Sequence, residues 1–97
     1  MKHKGQSLFT ELGNYLKTKR LAAKLSQSDA SKALGYSGPQ FISNFERGLC
    51  APPIGKLKIL VDLYNISHKE LTYLLMKEQR KYIDFHLSRT KSARKKA

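Results

Sequence analysis

The sequence predicts an all-α fold, a compact bundle of five helices with an extended last helix and a basic tail. Apolar residues recur at three- and four-residue spacing in five separate segments, as they do in amphipathic helices. Gly, Pro and Ser residues separate these segments at positions where they start or stop helices. No segment shows the strict alternation of apolar and polar residues that is typical of a strand, and no Asn-Gly or Asp-Gly turn separates two apolar runs.

The first two helices are bounded by recognisable signals. Helix one is expected from about Leu8 to Ala23, because leucines recur there every four residues. Ser26 then provides a hydroxyl that can cap helix two, and Asp29 suits the positive end of the helix dipole. Helix two is short, since Gly35 favours the left-handed conformation that ends helices. The positions predicted to face the core are Leu8, Leu12, Leu16, Ala30, Ala33 and Leu34.

Proline and glycine residues also delimit helices three and four. Gly38-Pro39 predicts the start of helix three, because proline is favoured in a first turn and keeps the preceding residue out of the helical region. This helix is expected to reach about Arg47 and to end at Gly48. Pro52-Pro53 opens helix four, which runs to Asn65. The predicted core positions are Phe41, Ile42 and Phe45, then Ile54, Leu57, Leu60, Val61 and Tyr64.

Helix five is predicted to begin with a capping box and to continue into the mid-80s. Its first turns bury leucines, and four further apolar residues follow near its end, so the extension needs a partner. Two partners for the extension are compatible with the sequence. The extension could brace helix one through Leu8 and Phe9, or it could pack against the same surface of a second molecule. The capping box is Ser67-His68-Lys69-Glu70, the leucines are Leu71, Leu74 and Leu75, and the extension carries Tyr82, Ile83, Phe85 and Leu87.

Charge is high and unevenly distributed. Nineteen Lys and Arg against seven Asp and Glu give a net charge of +12, which points to a polyanionic partner such as nucleic acid. Residues 77–97 carry a net +6, so we predict a folded domain over 8–87 between a basic arm, 1–7, and a disordered basic tail, 88–97. The single cysteine, Cys50, and the absence of a long apolar stretch favour a cytoplasmic protein without membrane segments.

A four-residue turn, Gly35-Tyr36-Ser37-Gly38, joins helices two and three into a helix-turn-helix. The surrounding residues include Leu25-Ser26-Gln27, Ala33-Leu34-Gly35, Ile42-Ser43-Asn44-Phe45-Glu46-Arg47-Gly48, Pro53, and Leu57 to Leu60. In these motifs the chain resembles the phage repressor and Cro-like, or XRE-type, family from residue 12 to about 76. The resemblance implies a repressor-like five-helix DNA-binding domain with its third helix in the major groove.

The resemblance also implies roles for individual residues. Gln40, Ser43 and Asn44 are expected to read base edges, and the two amides can pair in bidentate fashion with adenine. Arg20 and Glu46 match a pair of residues that, in the family, joins helix one to helix three through a salt bridge. The expected DNA phosphate contacts are Gln27, Ser37, Arg47, Lys56 and Lys58.

Together these observations predict a sequence-specific regulator of transcription, a repressor with double-stranded DNA as its partner. We favour a homodimer, because one small domain buries limited DNA surface and pairing over two half-sites is the usual remedy. The alternatives are a sequence-indifferent nucleic-acid binder dominated by its tail, the antitoxin of a toxin pair, and a regulator of a mobile element. No phosphate loop, catalytic motif or metal-ligand spacing is present in the sequence, so no enzyme activity, cofactor, metal or small-molecule ligand domain is expected.

Overall fold

The computed structural model describes the backbone of residues 9–96 and the side chains of residues 9–88. Every regular element in this part of the chain is a helix, which confirms the predicted all-α fold. The predicted arm, 1–7, and Leu8 lie outside the described residues. None of the helices described has an apolar stretch long enough to cross a bilayer. The helices are α1 (Thr10–Ala22), α2 (Gln27–Leu34), α3 (Gln40–Glu46), α4 (Ile54–Tyr64) and α5 (His68–Lys96).

The helix ends follow from the side chains predicted to form them. Ser26 Oγ accepts a hydrogen bond from the Asp29 backbone N–H at 2.9 Å, and Asp29 Oδ2 accepts one from the Ser26 N–H at the same distance. This reciprocal pair fixes the start of α2. Gly35, with φ of 84°, ends α2 in the left-handed region. At the start of α5, the Glu70 N–H donates to Ser67 Oγ at 3.3 Å.

One hydrophobic core joins all five helices. Burial of each large apolar side chain contributes about 1.5–3 kcal/mol, which offsets the entropy lost by the chain on folding. A domain of this size needs most of its apolar residues for that purpose. The buried residues are Leu12, Leu16, Ala30, Leu34, Ile42, Phe45, Leu57, Leu60, Tyr64, Ile66, Leu71 and Leu74.

Three of the predicted core positions are wrong. The Phe41 side chain is 50% exposed, because the short α3 buries the neighbouring position 42 and turns Phe41 outward, where its ring stacks on Tyr36 with centroids 4.4 Å apart. Ile54 is 77% exposed, since it is the first residue of α4 and precedes the buried stretch that begins at Leu57. Ala33 lies on the exposed side of α2.

A glycine allows α1 to approach α3 closely. A Cβ atom at Gly13 would lie 2.5 Å from the backbone oxygen of Glu46 and 2.6 Å from that of Phe45, closer than real Cβ contacts allow. Gly48, just after α3, has φ of 77°, and its Cα faces Thr10 so closely that a Cβ would lie 2.8 Å from the Thr10 Cα. These two contacts fix the C-terminal end of α3 against α1.

Helix α5 is longer than the sequence predicts. It continues to Lys96 rather than ending in the mid-80s, because the residues that follow, mostly Lys, Arg, Ser and Ala, include no Gly or Pro to stop it. Part of the extension braces α1, as one of the two alternatives proposed. The Tyr82 ring stacks on Phe9 with centroids 6.1 Å apart, and Lys77 Nζ lies 3.1 Å from Glu11 Oε2. The domain limits 8–87 and the disorder of the tail stay predictions.

Glu78 carries a buried carboxyl group where α5 meets α1. Its side chain is 1% exposed, and neither carboxyl oxygen forms a hydrogen bond within the part of the chain described. Lys81 Nζ lies 4.0 Å from its Oε2 atom. Burial raises the pKa of Glu78, the nearby Glu11 carboxylate adds to the effect, and Lys81 opposes it. The folded protein therefore binds a proton at this side chain more readily than the unfolded chain does.

Candidate DNA-binding surface

The three residues expected to read bases lie together on α3, and Arg47, an expected phosphate contact, follows at the C-cap of this helix. Gln40, Ser43, Asn44 and Arg47 are spaced three and four residues apart and therefore share one side of the helix, away from its buried side. Gln40 and Arg47 are exposed, whereas Ser43 and Asn44 are partly buried. Arg47 Nη2 donates a hydrogen bond to Asn44 Oδ1 at 2.9 Å. This bond orients the Asn44 amide before any base is bound. We call these four residues the α3 stripe.

A buried ion pair beneath the α3 stripe joins α1 to α3 and to the segment before α2. Arg20 Nε lies 2.6 Å from Glu46 Oε2, Arg20 Nη2 donates to Glu46 Oε1 at 3.1 Å, and Arg20 Nη1 donates to the Leu25 backbone oxygen at 2.8 Å. The hydrogen bond with Glu46 raises the pKa of the Arg20 guanidinium, so Arg20 stays charged. Burial, followed by the Glu46 charge, raises the pKa of the adjacent Tyr64 to about 12, so its phenol stays neutral. The structure thus places Arg20 and Glu46 in the arrangement that the resemblance implied.

Gln27 takes part in the same network. Its Nε2 atom donates to Glu46 Oε1 at 3.0 Å, which ties the start of α2 to the end of α3. An amide nitrogen has two hydrogens, so this bond leaves a second donor for a DNA phosphate. The first N–H groups of α2 lie beside it and are suited to an anion.

A cleft of about 500 Å³ lies beside the α3 stripe, between α1, α2 and α3. From α1 it receives Thr10, Asn14 and Lys17, spaced four and three residues apart on one side of that helix. None of these three residues was assigned to a DNA contact from the sequence, although their helical spacing is visible there. The cleft residues used below are Thr10, Asn14, Lys17, Gln27, Ser43 and Arg47.

The other expected phosphate contacts are more dispersed. Ser37 is exposed in the turn before α3, and Lys58 is exposed on α4. Lys56 Nζ instead donates to the Leu34 backbone oxygen at 2.7 Å and lies 5.1 Å from the centre of the Tyr36 ring. This contact stabilises the C-terminal end of α2, a structural role that the sequence did not reveal. Among the residues described, no three His, Cys, Asp or Glu side chains converge as metal ligands would.

Comparison with known proteins agrees with this geometry. A family model described as helix-turn-helix matches residues 16–71, more than half of the chain. The match includes all of α2 and α3 and the turn between them. Searches of the curated proteins and of the solved structures gave no significant match. The chain belongs to the Cro/C1-type, or XRE, helix-turn-helix family of DNA-binding transcription regulators.

Proposed function

We propose that the protein is a sequence-specific repressor that binds its operator with α3 in the major groove. The observation that carries this proposal is the α3 stripe, a polar surface supported from beneath by the buried pair of Arg20 and Glu46. The major groove is about 12 Å wide and admits a helix. A helix that must read bases has to be held rigidly, and a buried, multiply hydrogen-bonded pair provides that rigidity.

Base reading in this proposal depends on two amides. Gln40 and Asn44 can each donate to adenine N7 and accept from the N6 amino group. The bond from Arg47 holds the Asn44 amide with its oxygen acceptor towards the end of α3. Arg47 itself lies at that end and fits a phosphate at the edge of the groove. The preferred site should therefore contain adenines opposite Gln40, at the start of α3, and opposite Asn44, one turn further along.

Phosphate binding is assigned to the cleft beside the α3 stripe. Lys17 and Arg47 bring positive charge to it from α1 and α3, and Asn14 adds an amide donor. Gln27, the first residue of α2, lines the same cleft. A phosphate held here would fix the position of α3 along the groove. Such contacts supply affinity without sequence information.

Substitutions of the two amides test this function. Gln40→Ala and Asn44→Ala should each lower the preference for the best site by roughly 1–3 kcal/mol, while binding to random duplex changes little. Lys58→Ala is the matched control, since the loss of a phosphate contact weakens binding to the best site and to random duplex alike. It should also lower the salt slope, the slope of log affinity against log salt concentration, by about 1. Unchanged site preference in both amide variants would contradict the proposal.

Repression follows if the bound protein occupies DNA that the transcription machinery needs. The antitoxin and mobile-element roles use the same DNA-binding surface and differ in the genes controlled. A sequence-indifferent binder would give a different result when the best duplex and a random duplex are titrated with the protein. Its affinities for the best and the random duplex would be equal at every salt concentration, and neither amide would matter.

A further inference from the structure

Helix α3 exposes one large apolar side chain, that of Phe41, beside the α3 stripe. Half of this side chain is open to solvent, although the sequence predicted it to be buried. Successive residues of a helix point about 100° apart, so Phe41 lies about 60° around α3 from Asn44. It therefore borders the residues that we assign to base reading, on the side of the helix away from the phosphate cleft.

Two neighbouring rings hold the Phe41 ring in place. It stacks on Tyr36 with centroids 4.4 Å apart and planes inclined by 25°, and its centroid lies 6.4 Å from that of the buried Phe45. Tyr36 is itself held by Lys56, whose Nζ atom lies 5.1 Å from the centre of its ring and donates to the Leu34 backbone oxygen. The exposed part of Phe41 is therefore fixed in the free protein, and little side-chain entropy remains to be lost when it contacts a ligand.

An apolar ring at the edge of the reading surface favours one base over the other three. In the major groove thymine alone carries a methyl group, next to its O4 acceptor. Contact with that methyl removes apolar surface of both molecules from water, which is favourable. Beside the amino group of adenine or cytosine, or the oxygen of guanine, the ring would displace water from a polar group without replacing its hydrogen bond. That exchange costs free energy.

We propose that Phe41 determines specificity by packing against the methyl group of a thymine in the major groove, with Tyr36 as its positioning residue. The proposal rests on the proposed function, because Phe41 reaches a base only if α3 lies in the groove. Gln40 and Asn44 are about 6 Å apart along α3, which corresponds to about two base-pair steps of roughly 3.4 Å. Phe41 lies between them along the helix axis, so the thymine belongs to the same short run of base pairs as the two adenines.

Replacement of thymine by deoxyuridine tests the contact, because the two bases differ only in the methyl group. Each thymine of the best duplex is replaced in turn, and the affinity of the wild type for both forms is measured. Removal of the contacted methyl should weaken binding about fourfold, as expected for one buried carbon group worth about 0.8 kcal/mol. Both affinities are measured with the same protein, so a partial loss of stability in a variant cancels from their ratio.

Substitutions assign this fourfold difference to the ring. Phe41→Ala should bind the thymine and deoxyuridine duplexes equally, and Tyr36→Ala should lower the ratio because Phe41 is no longer held. Tyr73→Ala is the matched control and should keep the full difference. Tyr73 is another exposed aromatic residue with a lysine amine over its ring, but it lies on α5. A ring that only packed the domain would change stability and would leave the ratio unaltered.

Two results would overturn the proposal. One is equal binding of the wild type to the thymine and deoxyuridine forms at every position, and the other is a fourfold difference that Phe41→Ala retains. In both cases, loss of adenine preference in the Gln40 and Asn44 variants would still support the proposed function. An unchanged ratio in Tyr36→Ala would contradict the positioning role of that residue. The absence of any preferred duplex would contradict the proposed function and this contact together.

Discussion

Replacing Arg20 by alanine tests whether the buried ion pair holds the recognition helix in place. Arg20 and Glu46 side chains are 7% and 4% exposed, and Arg20 makes three hydrogen bonds to α3 and to the segment before α2. The substitution leaves the Glu46 carboxylate buried beside Gln27 without its cation. Removal of one partner from a buried pair costs about 3–5 kcal/mol.

That loss is a large part of the about 5–15 kcal/mol that stabilises a typical domain. For a domain of this length, each kcal/mol corresponds to roughly 4–8 °C in Tm, so Arg20→Ala should lower Tm by roughly 12 °C or more. Thermal and urea unfolding followed by circular dichroism measure it. A double variant, Arg20→Met with Glu46→Leu, should recover much of the loss, because it removes both charges rather than one.

Arg47→Ala is the matched control for this experiment. Arg47 is exposed, and its hydrogen bond to Asn44 lies at the surface, so its removal should change stability by roughly 0.5 kcal/mol or less. If Arg20→Ala lost less than about 1 kcal/mol, or if the double variant were no more stable than the single one, the pair would not hold α3 as argued.

Three further outcomes are expected. Gly13→Ala should destabilise the domain by about 1–3 kcal/mol, because the new Cβ meets the α3 backbone. Gly55→Ala, whose Cβ meets nothing within 4 Å, should stabilise α4 by up to about 1 kcal/mol. Equal effects of the two substitutions in urea unfolding would contradict the close packing of α1 on α3. Because the pKa of Glu78 is raised in the folded protein, the wild type should lose stability as the pH rises through that pKa. Glu78→Gln should therefore be more stable than the wild type at neutral pH and should show no advantage below the usual glutamate pKa. A variant that is less stable than the wild type at neutral pH would refute this. Deletion of residues 88–97 should weaken binding to all duplexes and flatten the salt slope by up to about 4–5, and an unchanged slope would mean that the tail does not meet phosphate.

The sequence predicted the helices well because their boundaries depend on local chemistry. Ser26 and Gly35 act on backbone groups within a few residues of themselves, so their effects are readable without tertiary structure. Phe41 was misplaced because α3 is short, and its inward side is decided by the positions of α1 and α2. The bond of Lys56 to the end of α2 joins residues 22 positions apart, which no local pattern reveals.

Helix α5 shows the same limit in a different form. From the sequence we identified four apolar residues near the end of α5 and considered two alternative partners for them, but we treated the four residues as one set. The structure separates Tyr82, which contacts α1, from Ile83 and Leu87, which face outward. Neighbouring residues in a helix point about 100° apart, so a run of apolar residues cannot lie on one side of the helix.

Selection from a pool of random duplexes tests the central claim most directly. Wild-type protein, at a salt concentration that suppresses phosphate-only binding, should enrich one motif that contains adenines, because we propose that α3 reads bases. Two inverted copies of the motif about 10 base pairs apart are the expected arrangement for the homodimer favoured from the sequence. The same selection with Asn44→Ala should lose or relax the motif. Recovery of sequences no different from the starting pool, with equal affinity for all of them, would contradict the claim that α3 reads DNA sequence.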